Sequence, residues 1–195
     1  MEIIEQAPKR AIVVTPHPDD CEGGCGGTMA KWIDSSNTDI VVILCTKGDK
    51  GTGDRSLTPE KLTAIREIEQ QNASDSLGIS RVVFLRHPDG GLEDDEEFRR
   101  ELVYEIRKHK PEVLFCIDPV RSTTHTHRDH RKSGQCAIDA AFSFAPNPNV
   151  FPDQISDDVQ AHQMDYALLW STEDPDAFIN TKGYVDMKAD SLLCH

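Results

Sequence analysis

No run in the sequence approaches the roughly 18 consecutive apolar residues that suggest a membrane span. The first residues, MEIIEQAPKR, also lack the cationic segment followed by a long apolar stretch that marks an export signal. A soluble, unexported chain with no membrane partner is therefore expected. Basic residues are scarce too: Lys and Arg number 21 against 34 Asp and Glu, for a formal net charge of −13. Such a surface has no basic patch from which phosphate contacts release counterions, so nucleic acid is not an expected partner. Cysteine is thinly spread, with six residues at 21, 25, 45, 116, 136 and 194 and no C-x-x-C pair. That pattern argues against a disulfide scaffold and fits reduced thiols in a cytoplasm. Internal repeats and low-complexity tracts are missing as well. A length of 195 residues suffices for one well-filled core, so residues 1–195 are read as a single domain.

What is present is alternation. The runs Ala11-Ile12-Val13-Val14 and Ile40-Val41-Val42-Ile43-Leu44 are short, β-branched and flanked by polar residues, the pattern of strands buried on both faces. Similar runs follow at 82–85 and Val113–Ile117, and Tyr166–Trp170 suits one more strand. Between them, helical spacing covers 28–35, Pro59–Leu77 with Thr58 as its cap, Glu96–His109 and about 128–142. Strands alternating with helices of this length imply right-handed crossovers around a mostly parallel sheet. The expected fold is α/β, a Rossmann-like three-layer sandwich. The tract AFSFAPNPNVFPDQISDD reads as a long irregular connection. In open α/β sheets ligands sit outside the carboxyl ends of the strands, where the strand order reverses. Three polar clusters fall at such ends: 17–22, 47–54 and 118–130.

The first of them lies in TPHPDDCEGGCGGT, residues 15–28. A phosphate-cradling loop would need a lysine just after its glycines, and none comes before Lys31. A dinucleotide fingerprint starting at Gly24 fails on its last glycine, where Met29 stands. The glycines then read as a close-packed turn from strand to helix. A metal site fits better. His17 and Asp20 are three apart at a strand end, in a turn stiffened by Pro16 and Pro18. A catalytic zinc site has three protein ligands and an open position for water. The third ligand is expected from HTHRDHRKSG, residues 125–134, which presents His130 with His127 beside it. Alone, Asp19-Asp20 suits a solvated turn or a helix cap, and the histidine tract suits adventitious metal binding. Two such clusters, each just past a buried strand, favour one shared site.

With these residues in hand, the chain resembles the PIG-L/LmbE-like de-N-acetylases. HPDD-x-E-GGCGGT is followed about a hundred residues later by HRDH. TKGDKGT (46–52), IREIEQQNASDSLGI (65–79), DGGL (89–92) and GQCAIDAA (134–141) match in the same order. The resemblance implies a zinc-dependent hydrolase that removes acetyl from an N-acetylglucosamine-type sugar or conjugate. It assigns His17, Asp20 and His130 as metal ligands, Asp19 as general base, His127 as a second catalytic histidine and Asp129 as the group orienting a histidine. Arg66 falls where a substrate-contacting arginine is common. One zinc per chain is implied, other divalent metals suiting the same donors, with a small N-acetylated amino sugar as substrate and a homo-oligomer, trimer or hexamer, as the assembly. Zinc would activate water and, with a protonated His127, carry the oxyanion charge. Two departures stand out. Cys21 separates HPDD from its acid, which is Glu22, and is read as a small packed residue outside the site. The chain also stops at SLLCH, near where members continue through a histidine and Ser-Gln segment, so a shortened C-terminal end is expected.

The remaining features need less. EDDEEFRRE, 93–101, is read as an exposed loop and helix start, and GDKGTGD, 48–54, as a sugar-facing lid. His87, His109 and His162 are read as surface residues, and His125 has no clear place in the motif. Two other functions compete: a metal-dependent phosphoesterase, which would hold two ions, and a non-catalytic metal-binding module.

Overall fold

The computed structural model describes residues 2–123 and 127–195, so His125 lies outside the described residues. In chain order the elements are β1 (Glu2–Ile3), β2 (Arg10–Thr15), α1 (Asp20–Ser36), β3 (Asp39–Thr46), α2 (Pro59–Leu77), β4 (Arg81–His87), α3 (Glu96–His109) and β5 (Val113–Ile117). They are followed by α4 (Arg128–Asp139), β6 (Tyr166–Trp170), β7 (Ala177–Phe178) and α5 (Val185–Leu192). Five strands form a sheet in the order β4-β3-β2-β5-β6, with every pairing parallel. From β2 the chain works outward through β3 and β4, then returns to place β5 on the other side of β2. The order reverses between β2 and β5, and the loops leaving those two strands carry the HPDD and HRDH residues.

Alternation builds the two faces. Ile12, Val14, Val41, Ile43 and Leu114 pack with Phe98, Leu102, Val103 and Ile106 of α3 and with Cys136 and Ala137 of α4. Ala11, Val13, Ile40, Val42 and Phe115 pack on the other face with Met29, Ala30 and Trp32 of α1 and Leu77 of α2. Residue i on one face and i+1 on the other is the strand period of two. It makes the expected α/β sandwich, with helices on both sides of a parallel sheet.

Most boundaries fall where expected: α2, α3, β5 and β6 match residue for residue, and Thr58 accepts from Lys61 N as the α2 cap. The start of α1 differs. The helix begins at Asp20 rather than near 28, so Gly23, Gly24, Gly26 and Gly27 lie inside it rather than in a turn. Each glycine in a helix interior is unfavourable by about 0.5–1 kcal/mol relative to alanine. Packing outweighs that: a Cβ on Gly24 would lie 2.4 Å from Trp170 Cδ1. The helix can therefore press on β6 only where it has no side chain, and burial of Met29 and Trp32 at about 1.5–3 kcal/mol each more than offsets the lost propensity. Gly134 does the same for α4, since its Cβ would meet Ile117 O at 2.3 Å.

Helix α4 runs on as a π-helical turn, Ala140–Phe144, so the expected 128–142 helix is continuous in reach but changes winding near its end. The irregular tract after it is organised by one side chain. Arg107 of α3 is fully buried, and its guanidinium donates to Phe144 O, Ala145 O, Asn147 O, Val150 O, Phe151 O and Gln154 Oε1. Two features had no sequence signal: the parallel pairing of β1 with β7, and α5, which packs on α1 and α2. No helix among the described residues is long and apolar enough to cross a membrane.

Candidate metal centre and active site

The turn after β2 aims its side chains through a strained residue. Asp19, the N-cap of α1, has φ 86° and ψ −25°, left-handed backbone that a β-substituted residue adopts at a cost of order 1–3 kcal/mol. That conformation separates two neighbours. Asp20 points inward to His17, while Asp19 keeps a side chain 47 % exposed beside Arg66.

Three donor atoms converge there. Asp20 Oδ2 lies 3.0 Å from His17 Nδ1 and 3.1 Å from His130 Nε2. Donors about 2.0–2.2 Å from a tetrahedral ion are about 3.3–3.6 Å apart, so an ion shared by these groups would replace their direct contacts and part them by a few tenths of an ångström. The opposite edge of His17 is fixed from behind. Its Nε2 lies 3.2 Å from Asp129 Oδ2 and 3.3 Å from Asp89 Oδ1. Asp129 is wholly buried and also accepts from Gly90 N at 2.6 Å and Leu92 N at 3.2 Å. Both ring nitrogens of His17 thus face carboxylates; a carboxylate on the far nitrogen is the usual outer-shell partner of a ligating histidine, and ligation at Nδ1 would take the place of its contact with Asp20.

The histidines His17, His127 and His130 offer ligand atoms within 4.8 Å of one another, and so do His17, Asp89, His127 and Asp129. The second grouping is the poorer cage, because Asp129 already accepts two backbone amides and His17. The set expected from the sequence, His17, Asp20 and His130, is neither of these two groups; it is joined through Asp20 Oδ2, which lies within 3.1 Å of one nitrogen of each histidine, and its mixed nitrogen and oxygen donors are of the kind that suits zinc and several other divalent ions.

His127 caps α4. Its Nδ1 accepts from Asp129 N at 3.2 Å, which leaves the proton of the neutral ring on Nε2. Burial and the neighbouring His17 lower its pKa, so the neutral ring is favoured, in contrast to the imidazolium expected from the sequence. Asp19 moves the other way. Burial and then Asp20 raise its pKa against the pull of Arg66 and His195, which makes it a stronger base. For His17 burial acts downward but is outweighed by Asp129, Asp20 and Asp89, and the pKa rises to about 11. Burial acts upward on Asp20 and is outweighed by His130 and His17, which hold its carboxyl well below the usual range. The hydrogen bond from His17 takes Asp89 down to about 2.

Around these groups opens a cleft of about 510 Å³, with Asp19, Asp20, His127, His130, Trp170 and His195 in its wall. Arg66 is set back from it. Its guanidinium donates to Pro18 O at 2.8 Å, Gly48 O at 3.2 Å and Asp19 Oδ2 at 3.1 Å, bracing the strained turn. The loop expected as a lid is tied beside the site, with Gly48 O held by Arg66 and Lys50 N by Asp89 Oδ2. Cys21 is buried beside Glu22, outside the donor set. His87 and His109 are half-buried partners of Glu101 and Glu105, and His162 Nε2 lies 2.6 Å from Pro111 O. Sequence reasoning overlooked Asp89, whose signal was an acid just past β4 in the DGGL stretch. It also overlooked Trp170 and His195, which carry no local signal.

Comparison with known proteins agrees with this geometry. Residues 12–141 match the family model described as PIG-L: GlcNAc-PI de-N-acetylase. The chain is 31 % identical to a diacetylchitobiose deacetylase of Thermococcus kodakarensis, covering 96 % of this chain and 69 % of that protein. It is 28 % identical to a mycothiol S-conjugate amidase of Streptomyces coelicolor, covering 74 % of this chain but only 55 % of that protein. The crystal structure of N,N'-diacetylchitobiose deacetylase from Pyrococcus horikoshii, complexed with its inhibitor MPG, superposes with a TM-score of 0.90 at 28 % identity, over 96 % of this chain and 70 % of that one. The switch-point site, the matched residues and the similarity along almost the whole chain lead to one conclusion: this chain belongs to the PIG-L family, the GlcNAc-PI de-N-acetylase family.

Proposed function

We propose that the chain is a metal-dependent N-deacetylase that hydrolyses the acetamide of an N-acetylglucosamine-type sugar or conjugate, releasing acetate and a free amine. The observation that carries this reading is the convergence of His17 Nδ1, Asp20 Oδ2 and His130 Nε2 beside an outlying carboxylate, Asp19, and an outlying imidazole, His127, in one cleft. Relatives named as deacetylases of diacetylchitobiose and of a 2-acetamido-2-deoxy-glucopyranoside of myo-inositol support the substrate class.

His17, Asp20 and His130 would hold one zinc or similar divalent ion per chain. When bound, such an ion polarises the acetamide carbonyl and lowers the pKa of a water to about 7. The chain's own groups do the rest. Asp19, with its raised pKa and open flank, takes the proton from the attacking water. His127 donates from Nε2 to the developing oxyanion, while Nδ1 stays locked on the α4 amide. The amine leaves with the proton that Asp19 has gathered. Asp129 fixes the ring of His17, and Arg66 fixes the turn that presents Asp19. Six unpaired thiols are consistent with a reducing cytoplasm, and a homo-oligomeric assembly follows the family resemblance.

The deciding experiment measures acetate release from N-acetylglucosamine, diacetylchitobiose and N-acetylglucosaminyl conjugates, with metal content determined on the same sample. Acetate release with one ion per chain is expected. Two ions with phosphate release would replace this reading by a phosphoesterase, and bound metal without any hydrolysis would replace it by a metal-binding module.

A further inference from the structure

Beneath the catalytic turn lies a polar couple that the chemistry above does not use. Glu22, in the first turn of α1, is wholly buried. Its carboxylate accepts from Gln70 Nε2 of α2 at 2.6 Å and from the Cys21 thiol at 3.2 Å. An amide and a thiol are weak company for a buried charge, which normally requires a cationic or multiply donating partner. Among the described residues, the one side chain within ion-pair distance is His195, just past α5, with Nε2 3.8 Å from Glu22 Oε2. The His195 side chain is only 9 % exposed, it shares the cleft wall with Asp19, and both its ring nitrogens are buried without a hydrogen-bond partner. Buried polar atoms left this way call for an explanation.

We propose that His195 is a positioning residue for the reaction, acting through Glu22 to fix the first turn of α1 and with it Asp19 and Asp20. This rests on the metal-dependent deacetylase reading. The placement is specific. Asp20 and Glu22 are two residues apart in one helical turn, so a shift at Glu22 moves the carboxylate that meets both imidazoles. A second tie fastens the same turn, because Lys188 Nζ of α5 donates to Gly23 O at 2.7 Å. Helix α5 therefore grips the start of α1 by its backbone at Gly23 and by its charge at Glu22. Asp19 is held in left-handed backbone, and the turn keeps that conformation only while its surroundings enforce it. Outer-shell partners of this kind typically change metal affinity or activity by 10–100-fold.

Two conservative variants test the idea. Glu22→Gln keeps volume and an acceptor for Gln70 but removes the charge that His195 answers, and His195→Asn keeps a polar group of smaller reach. The probe is cobalt(II) alone, titrated into metal-free protein and followed by its visible absorption, with acetate release measured in parallel. Each variant is expected to bind cobalt about tenfold more weakly and to lose about tenfold in kcat, with KM within about twofold. The double variant should be no worse than the worse single one, since both break one couple. Cobalt affinity and kcat within twofold of the parent overturn the proposal, as does a lowered melting temperature with cobalt affinity intact or losses that simply multiply. Should His195→Asn fail to fold, the isosteric Glu22→Gln decides alone. Should the parent release no acetate, the functional reading fails, while the cobalt titration still decides the role of His195.

Discussion

Two regions of this molecule bury charge, and they do it in opposite ways. Arg107 is enclosed by five main-chain carbonyls and one side-chain amide oxygen, all fixed dipoles that neither titrate nor exchange. His17 is enclosed by Asp20, Asp89 and Asp129, each of which can gain a proton or share a cation. Neutral dipoles make a permanent clamp that shapes a loop. Ionisable partners make a site whose occupant can change. The lesson is that burial of charge alone does not mark function; the nature of the partners does.

The sharpest way to break that contrast is within the site itself. Asp19→Ala should retain the ion and lose about 10²–10⁴-fold in turnover, the usual scale of a general base. His130→Ala should lose the ion together with turnover, read by metal analysis after dialysis. An Asp19→Ala protein without metal would make Asp19 a ligand and redraw the site. Next in size is the clamp. Arg107→Met leaves five carbonyls without their donor and should destabilise the fold by about 4 kcal/mol in denaturant titration. The remaining folded fraction should bind cobalt(II) as the parent does. Weakened metal binding would mean that the two regions are coupled.

Gly24→Ala asks how far packing near the cleft matters. Its Cβ would lie 2.4 Å from the Trp170 indole, so overpacking of about 2 kcal/mol and a raised KM are expected, because Trp170 lines the cleft. Unchanged melting temperature and kinetics would show that the wall yields freely. The smallest effect is a pH dependence. His17 has a folded-state pKa of about 11 against an ordinary 6.5, so its contribution to the metal-free fold is complete below about 6.5 and is lost progressively as pH rises from there through about 11. Asp89, at about 2 against 3.8, contributes above 3.8 and loses its share as pH falls through about 2. Metal-free protein should therefore hold its melting temperature from about pH 4 to 6.5 and lose it progressively as pH rises from about 6.5 toward 11. Ligation at Nδ1 must displace a proton from His17, so cobalt affinity should rise about tenfold per pH unit near neutrality. A flat affinity profile would mean that His17 is already unprotonated there.

The legibility of the fold divides along the same line as the two regions. Strands announced themselves because a parallel sheet buries both faces, so Ala11 to Val14 and Ile40 to Leu44 are apolar without interruption. Helices α2 and α3 announced themselves through their spacing, with the Thr58 cap marking the start of α2; in the structure Thr58 accepts from Lys61 N and Asp95 from Phe98 N. The start of α1 did not, because its glycines answer to Trp170, a residue more than a hundred positions away. Arg107 was illegible for the same reason: a buried arginine on an amphipathic helix looks like any solvated one until the loop it holds is seen. That His17, Asp20 and His130 come together was legible because the two clusters leave the carboxyl ends of neighbouring buried strands, β2 and β5. His195 and Trp170 reach the cleft through long-range packing, and no spacing in the sequence encodes that.

The reversal of strand order between β2 and β5 has a consequence in time as well as space. His17 and Asp20 are synthesised more than a hundred residues before His130, and the three meet only when β5 docks against β2. A nascent chain therefore holds half a metal site through most of its synthesis, and half a site binds weakly. Under the proposed ligand set, capture of an ion would wait until β5 pairs with β2, the contact that brings His130 to Asp20. An ion that recognises only the finished arrangement would then stabilise it by mass action, acting on the fold as well as on the substrate.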